Sequence, residues 1–239
     1  MDTATAAQTL LQWVWPRTCA HCREDLPREA GSPLCLACRL RLVPAEPPYC
    51  RRCAQPARDA LCRRCQGPPE ALSLLRPVFL YREAAVSLVH AFKYRGSRAA
   101  ARAAGGWMGT ALSRFPELGR PDALVPMPLH PLRRRERGYN QALLLAEGLS
   151  ARAGIAVREL ALRRRDTRPQ WALAARDRRR NVRGAFEARP EAAGLRLLLV
   201  DDVCTTGASL EECAEALKDA GAAWVGALVL ARQSGPMIT

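Results

Sequence analysis

The chain has 239 residues, a formal net charge of +14 from 37 Lys and Arg against 23 Asp and Glu, and ten cysteines. Met1 and Asp2 are not followed by a basic segment and a long apolar one, which argues against a secretory leader and hence against disulfides. A cytoplasmic protein without a membrane span is expected. Lys93 and Lys218 are its two lysines, so the excess charge is arginine, whose planar fork matches the phosphate oxygens of a polyanionic partner, a solvated arginine-rich surface favoured by codon composition being the competing reading.

Residues 1–18 read as a short amphipathic helix carrying Leu10, Leu11, Trp13, Val14 and Trp15. No basic face accompanies these residues, so packing onto the rest of the chain is expected in preference to a membrane surface. Residues 19–67 hold four C-x-x-C knuckles at Cys19/Cys22, Cys35/Cys38, Cys50/Cys53 and Cys62/Cys65. Each knuckle presents two thiolates to one metal, so a double zinc ribbon with two tetrahedral Cys₄ sites is expected. Sequential and cross-braced pairing both satisfy the spacing, and an iron-sulfur cluster is the competing use of the same ligands. His21, inside the first knuckle, reads as a solvent-facing turn residue. The segment is punctuated by prolines and too poor in apolar residues to close a core without metal. Pro68 and Pro69 mark its exit into a domain covering residues 70–239.

In that domain an extended segment is expected over Pro77 to Tyr81, helices over Ala84 to Tyr94 and Arg98 to Arg114, and a strand over Ala123 to Met127. A helix from Asn140 to Ala153 follows, with Ala142, Leu145, Ala146 and Leu149 on one face and Gly154 as its stop. A short strand near Val157 to Leu160 and a last strand from Trp224 to Ala231 flank the most informative stretch, LLLVDDVCTTGAS. The alternation argues for an α/β fold, a mostly parallel sheet with helices on both faces.

Within LLLVDDVCTTGAS, Leu197 to Val200 form an apolar run without alternation, as a parallel strand covered on both faces requires. Asp201 and Asp202 stand at its carboxyl end, where open α/β sheets place their ligands. Thr205, Thr206, Gly207, Ala208 and Ser209 supply hydroxyls, small side chains and a glycine that lets backbone N–H groups turn toward an anion. The helix from Ser209 to Ala220 adds free N–H groups and a positive dipole end. The carboxylates suit ribose hydroxyls or a Mg²⁺ ion. The competing reading is an acidic turn before an ordinary core helix. Cys213 is placed in the core, and Cys204 in the site turn as a tolerated unpaired small residue, a side chain facing ligand or solvent being the alternative.

VDDVCTTGAS resembles the phosphoribosyl diphosphate (PRPP) motif of type I phosphoribosyltransferases. Two arginine clusters add to it. Arg133, Arg134, Arg135 and Arg137 follow the VPMPLHP strand end in what reads as a basic loop, and nine more arginines fall between Arg163 and Arg183 in what reads as a lid. HAFKYRG, VPMPLHPLRRRERGYNQA, RDTRPQ, RRRNVRGAF and LLLVDDVCTTGAS, in this order behind four knuckles, resemble the ComF family of competence-associated phosphoribosyltransferase-like proteins over nearly the whole chain. Tyr139 stands where the family often has Phe, and Ser209 where it often has Thr.

That resemblance implies a type I phosphoribosyltransferase-like domain, two structural Zn²⁺, PRPP with Mg²⁺ in the site, and a role in DNA uptake during natural transformation. It implies Asp201 and Asp202 at ribose hydroxyls or metal, and Thr205 to Ser209 at the 5-phosphate. Arg133 and Arg137 fall to the diphosphate, and Thr167, Gln170, Arg178 and Asn181 to the lid. No catalytic base and no acceptor are identified. Two functions remain open at this point. One is an enzyme transferring phosphoribosyl to an acceptor. The other is a binding protein in which the PRPP site is a sensor or structural element, while the arginine surface and ribbon engage single-stranded DNA or a competence helicase. Trp171 is the one aromatic inside the basic runs, which disfavours base stacking as the main source of DNA affinity.

Overall fold

A computed structural model describes residues 18–27, 31–67, 70–165 and 182–233. The helix expected over 1–18 lies outside them except for Thr18, and so do the lid candidates Thr167, Gln170, Arg178 and Asn181. The described elements are α1 (Leu36–Leu40), β1 (Leu74–Leu80), α2 (Ala84–Tyr94), α3 (Arg98–Ala111), β2 (Ala123–Pro126), α4 (Pro131–Arg137), α5 (Gln141–Ala153), β3 (Ala161–Arg163), β4 (Phe186–Ala188), β5 (Arg196–Cys204), α6 (Ala208–Asp219) and β6 (Trp224–Arg232). Among these helices none is long and apolar enough to cross a membrane.

Four strands form a parallel sheet in the order β1-β6-β5-β2. The apolar run of β5 is central, and successive side chains serve opposite faces. Leu197 and Leu199 pack with Leu210, Cys213, Ala214 and Leu217 of α6. Leu198 and Val200 pack with Leu145 and Leu149 of α5, Met108 of α3, and Phe92 of α2. All four β5 residues are fully buried. Each contributes on the order of 2 kcal/mol by removal from water, which explains why the run contains no polar residue. Helices α3 and α5 cross closely because glycine stands at the crossing. A Cβ on Gly148 would lie 2.1 Å from the Arg102 carbonyl oxygen, and one on Gly105 would lie 2.1 Å from that of Leu145.

Three local expectations need correction. The helix expected over Arg98 to Arg114 ends as α at Ala111 and finishes as a 3₁₀ turn, Leu112–Arg114, ahead of Pro116. The strand expected near Val157 to Leu160 is a single parallel bridge from Val157 to Leu124. The strand begins at Ala161 and pairs antiparallel with β4 in a separate two-stranded unit. Leu160, Ala161 and Phe186 bury against the α6 side of the core, and that burial draws the pairing away from the main sheet. The basic loop after β2 contains α4, which has Pro131 at its first position, His130 as its cap, and left-handed Gly138 closing it.

The cysteine-rich segment does not stand apart. Leu26, Leu34 and Leu42 share a small core with Ala84 and Ala85 of α2. Between its two halves the chain runs antiparallel along the outer edge of β1, with Leu80 N–H donating to the Val43 carbonyl at 2.8 Å and Ala45 N–H to the Val78 carbonyl at 3.1 Å. Buried Arg76 of β1 donates to the Arg51 carbonyl at 2.7 Å and pairs with Glu117. The shortage of apolar residues seen in the sequence is thus met by borrowing the surface of the larger domain.

Candidate functional site

The carboxyl end of β5 opens onto a cleft of about 1110 Å³. Asp201, Asp202, Thr205 and Ser209 face it from the β5 turn and α6, and Arg133 and Arg137 face it from α4. The two arginines are one helical turn apart and half-buried, whereas Arg134 and Arg135 point outward and are exposed. Arg137 is held by a hydrogen bond to Gln141, a buried residue at the start of α5. Asn140 caps α5 by accepting from Ala142 N–H at 3.0 Å and donates to the Met127 carbonyl at 3.0 Å, tying the two walls of the cleft together.

The remaining turn residues have other positions. Gly207 adopts φ +82 at the start of α6, the conformation its lack of a Cβ permits. Thr206 and Gly207 line a small cavity behind the turn, and Ala208 is buried. Thr206 Oγ1 accepts from Ala208 N–H at 3.4 Å, which bends the chain into the helix.

The acid pair is asymmetric. Asp202 is 2% exposed, and its Oδ1 lies 2.6 Å from Nζ of Lys93 and accepts from Val203 N–H at 2.6 Å. Its Oδ2 is buried without a hydrogen-bond partner among the described residues. Asp201 is half-buried, and its Oδ1 accepts from Asp202 N–H at 2.8 Å. Burial, followed by the neighbouring Asp202 carboxylate, pushes Asp201 up to about 7. Burial opposes the charge on Lys93, but Asp202 more than offsets it and holds the ammonium above its ordinary value. Reading the sequence for sites passed over Lys93 and Tyr81, which also faces the cleft. The available signal was Lys93 itself, one of two lysines in an arginine-rich chain.

Two cysteines and one histidine differ from or sharpen the expectation. Cys213 is fully buried in the core as expected. Cys204 faces neither ligand nor solvent: it is buried, and Arg232 Nη1 donates to its sulfur at 2.9 Å. Its side chain joins the core that β5 shares with α6, beside Leu210 and Cys213, and so lies away from the cleft. His21 is half-buried, with Nδ1 2.9 Å from Ser87 Oγ on α2, and it belongs to neither cysteine cluster.

The knuckles pair sequentially, Cys19, Cys22, Cys35 and Cys38 in one cluster and Cys50, Cys53, Cys62 and Cys65 in the other, with all ligand atoms of each set within 4.8 Å. Cys22 and Cys35 sulfurs are 3.7 Å apart, and Cys53 and Cys62 sulfurs 3.6 Å. Tetrahedral zinc with Zn–S near 2.3 Å requires sulfurs roughly 3.8 Å apart, so both sets fit zinc and neither forms a disulfide. Burial raises Cys19 and Cys50, but backbone N–H groups donating to their sulfurs bring both down to about 6, whereas burial and neighbouring thiols push Cys38 and Cys53 of the same sets up.

Comparison with known proteins agrees with this two-part architecture. Residues 10–66 match the double zinc ribbon domain, and residues 140–236 match the phosphoribosyl transferase domain. Competence protein F of Haemophilus influenzae is 31% identical over 231 residues, covering 90% of this chain and 96% of that protein. Competence protein ComFC of Bacillus subtilis is 30% identical over 160 residues, 66% of this chain and 63% of its own length. DNA utilization protein YhgH of Escherichia coli K12 is 39% identical over 113 residues, 47% of this chain and 50% of its own.

Proposed function

We propose, from the premise that this chain belongs to the competence protein F family, that it binds PRPP with Mg²⁺ in the cleft and transfers phosphoribosyl to an acceptor in the handling of imported DNA. The observation that carries the reading is the convergence of Asp201, Thr205, Ser209, Arg133 and Arg137 on one cleft from three separate elements. Hydroxyls of Thr205 and Ser209 and the amino-terminal N–H groups of α6 hold the 5-phosphate, where the helix dipole favours an anion. Arg133 and Arg137 take the diphosphate oxygens. Asp201 receives a ribose hydroxyl or the metal, and Lys93 pairs with Asp202 and fixes it in place.

Mg²⁺ fits this donor set, because a hard cation is held by one or two carboxylates together with substrate phosphates. Both a raised Asp201 and an unpartnered Asp202 oxygen are relieved by a cation or hydroxyl donor. When bound, the metal neutralises part of the diphosphate charge. The reaction breaks the bond from ribose C1 to the diphosphate oxygen. Positive charge grows on the ring as the leaving group departs, and the residues orient the two ends and stabilise the departing negative charge. Thr167, Gln170, Arg178 and Asn181 are assigned to a lid on the family resemblance alone, and the cytoplasm is the compartment that supplies such a substrate.

Titration calorimetry of the zinc-loaded protein with PRPP and Mg²⁺ tests this reading. Saturable binding should be lost in the Asp201→Asn, Asp202→Asn double variant, and undiminished binding in that variant would remove the assignment. A second reading is supported by exposed Arg134 and Arg135 on the outer face of α4. In it the arginine surface engages single-stranded DNA or a competence helicase, and the PRPP site serves as a sensor. DNA affinity that falls steeply with salt and survives the double variant would favour it.

A further inference from the structure

Behind the turn, on the side away from the cleft, the second cysteine cluster meets the larger domain. Arg64 stands between ligands Cys62 and Cys65 on a 3₁₀ turn, Arg63–Gln66. Its Nη1 donates to the Thr206 carbonyl at 2.5 Å, and its Nη2 lies 3.3 Å from Glu70 Oε2. Arg232, at the end of β6, is 1% exposed and donates to the Cys204 sulfur. Cys53, Arg64, Arg232, Thr206 and Gly207 line one cavity of about 20 Å³.

Each of these two guanidinium groups keeps one buried nitrogen unmatched. The Nε of Arg64 and the Nε of Arg232 are both buried with no hydrogen-bond partner among the described residues. Cys204 is a poor counter-charge for Arg232, because burial pushes its thiol up and keeps it neutral. Four thiolates around one Zn²⁺ leave a formal charge of about −2, concentrated beside both cations.

We infer that the zinc-filled second cluster is the counter-charge that fixes Arg64 and Arg232, and that Arg64 in turn fixes the Thr206 carbonyl. The turn from Thr205 to Ser209 is thereby held with Thr205 and Ser209 facing the cleft. Metal in the ribbon and phosphate in the turn are coupled, and Arg64 is the positioning residue between them. The phosphate half rests on the function proposed above. The first cluster packs on Ala84 and Ala85 of α2 and is the internal control. Coupling is reciprocal, so PRPP must also tighten zinc in the second cluster.

The test uses the full chain loaded with zinc, as wild type, Arg64→Ala and Arg64→Lys. Three quantities are measured: zinc per chain, hydrogen exchange of the amides of residues 205–209 without ligand, and PRPP titration with Mg²⁺. Arg64→Ala should exchange these amides faster and weaken PRPP roughly ten-fold, the loss expected for one charge-assisted hydrogen bond. Arg64→Lys should recover part of both. In wild type, PRPP should slow chelator extraction of one of the two zincs, an effect absent from Arg64→Ala. Loss of one zinc from Arg64→Ala would support the counter-charge role. Wild-type exchange and wild-type PRPP affinity in Arg64→Ala would overturn the inference. If wild type fails to bind PRPP, the proposed function falls; the ligand-free exchange then decides the link, faster exchange supporting it and unchanged exchange overturning it.

Discussion

Lys93 Nζ lies 2.6 Å from Asp202 Oδ1, joining α2 to the carboxyl end of β5 across the base of the cleft. The Lys93 side chain retains about a fifth of its exposure and that of Asp202 almost none, so the lysine supplies the opposite charge that a carboxylate in a buried place requires. Lys93→Met should destabilise the protein by about 3 kcal/mol, the cost of stranding a buried charge. Adding Asp202→Asn should restore most of the loss. Urea unfolding of the single and double variants measures both, and equal midpoints for wild type and Lys93→Met would refute the pairing.

Asp201 makes ligand binding pH-dependent. Its folded-state value is raised to about 7 by burial and by Asp202, so below pH 7 the carboxyl is mostly neutral and a poor partner for Mg²⁺ or a ribose hydroxyl. Affinity for PRPP with Mg²⁺ should therefore rise as pH increases through 7 and level off above it, with a proton released on binding near pH 6. The sign is opposite for the fold, since the native state holds this proton longer than the unfolded chain and loses stability from it as pH rises from about 4 to 7. Calorimetry in two buffers of different ionisation enthalpy counts the proton. A flat affinity between pH 6 and 8 would exclude Asp201 as a direct ligand contact.

The crossing of α3 and α5 predicts opposite effects for two nearby glycine substitutions. Gly148→Ala drives a methyl group into the Arg102 carbonyl and should cost roughly 2–3 kcal/mol. Gly106→Ala meets nothing within 4 Å and should gain about 0.5–1 kcal/mol from helix propensity. Chemical denaturation midpoints moving in the same direction for both variants would contradict this packing.

Zinc should protect the thiols by ligation and burial should protect the rest. The two clusters use eight of the ten cysteines, and Cys204 and Cys213 are buried. Native protein purified anaerobically should carry two zincs and react slowly with a thiol reagent. A strong chelator should release the metal together with rapid labelling of the ribbon cysteines. Rapid labelling of exposed Cys22 before metal leaves would show that the first cluster is not closed around zinc.

Much of this protein was legible in its sequence. The boundaries of α2 match their expected residues, and the run from Leu197 to Ser209 forms the expected strand, acid pair, turn and helix. The knuckles and the strand-to-helix turn depend on neighbours within a few positions, so spacing and residue type suffice to specify them. Where a local reading failed, the cause was long-range. Ala161 forms a strand because Phe186 and α6 offer burial, and Cys204 is drawn into the core beside α6, where Arg232 of β6 meets its sulfur. The helix α4 was readable in retrospect from Pro131 and Gly138, but its arginines read as a loop.

The sequence by itself determined the chemistry available: eight metal-ligating thiols, two acids at a strand end, and an arginine excess. Tertiary structure alone decided the partners. It paired the knuckles in order, divided the acids into Asp202 held by Lys93 and Asp201 facing the cleft, and split α4 into inward Arg133 and Arg137 and outward Arg134 and Arg135. It also brought Arg64 to Thr206 across 142 positions. Covalent spacing fixes what a short segment can bind. Which distant charge meets it follows from how sheet and helices bury their apolar faces, and packing of that kind has no signature in the order of the residues.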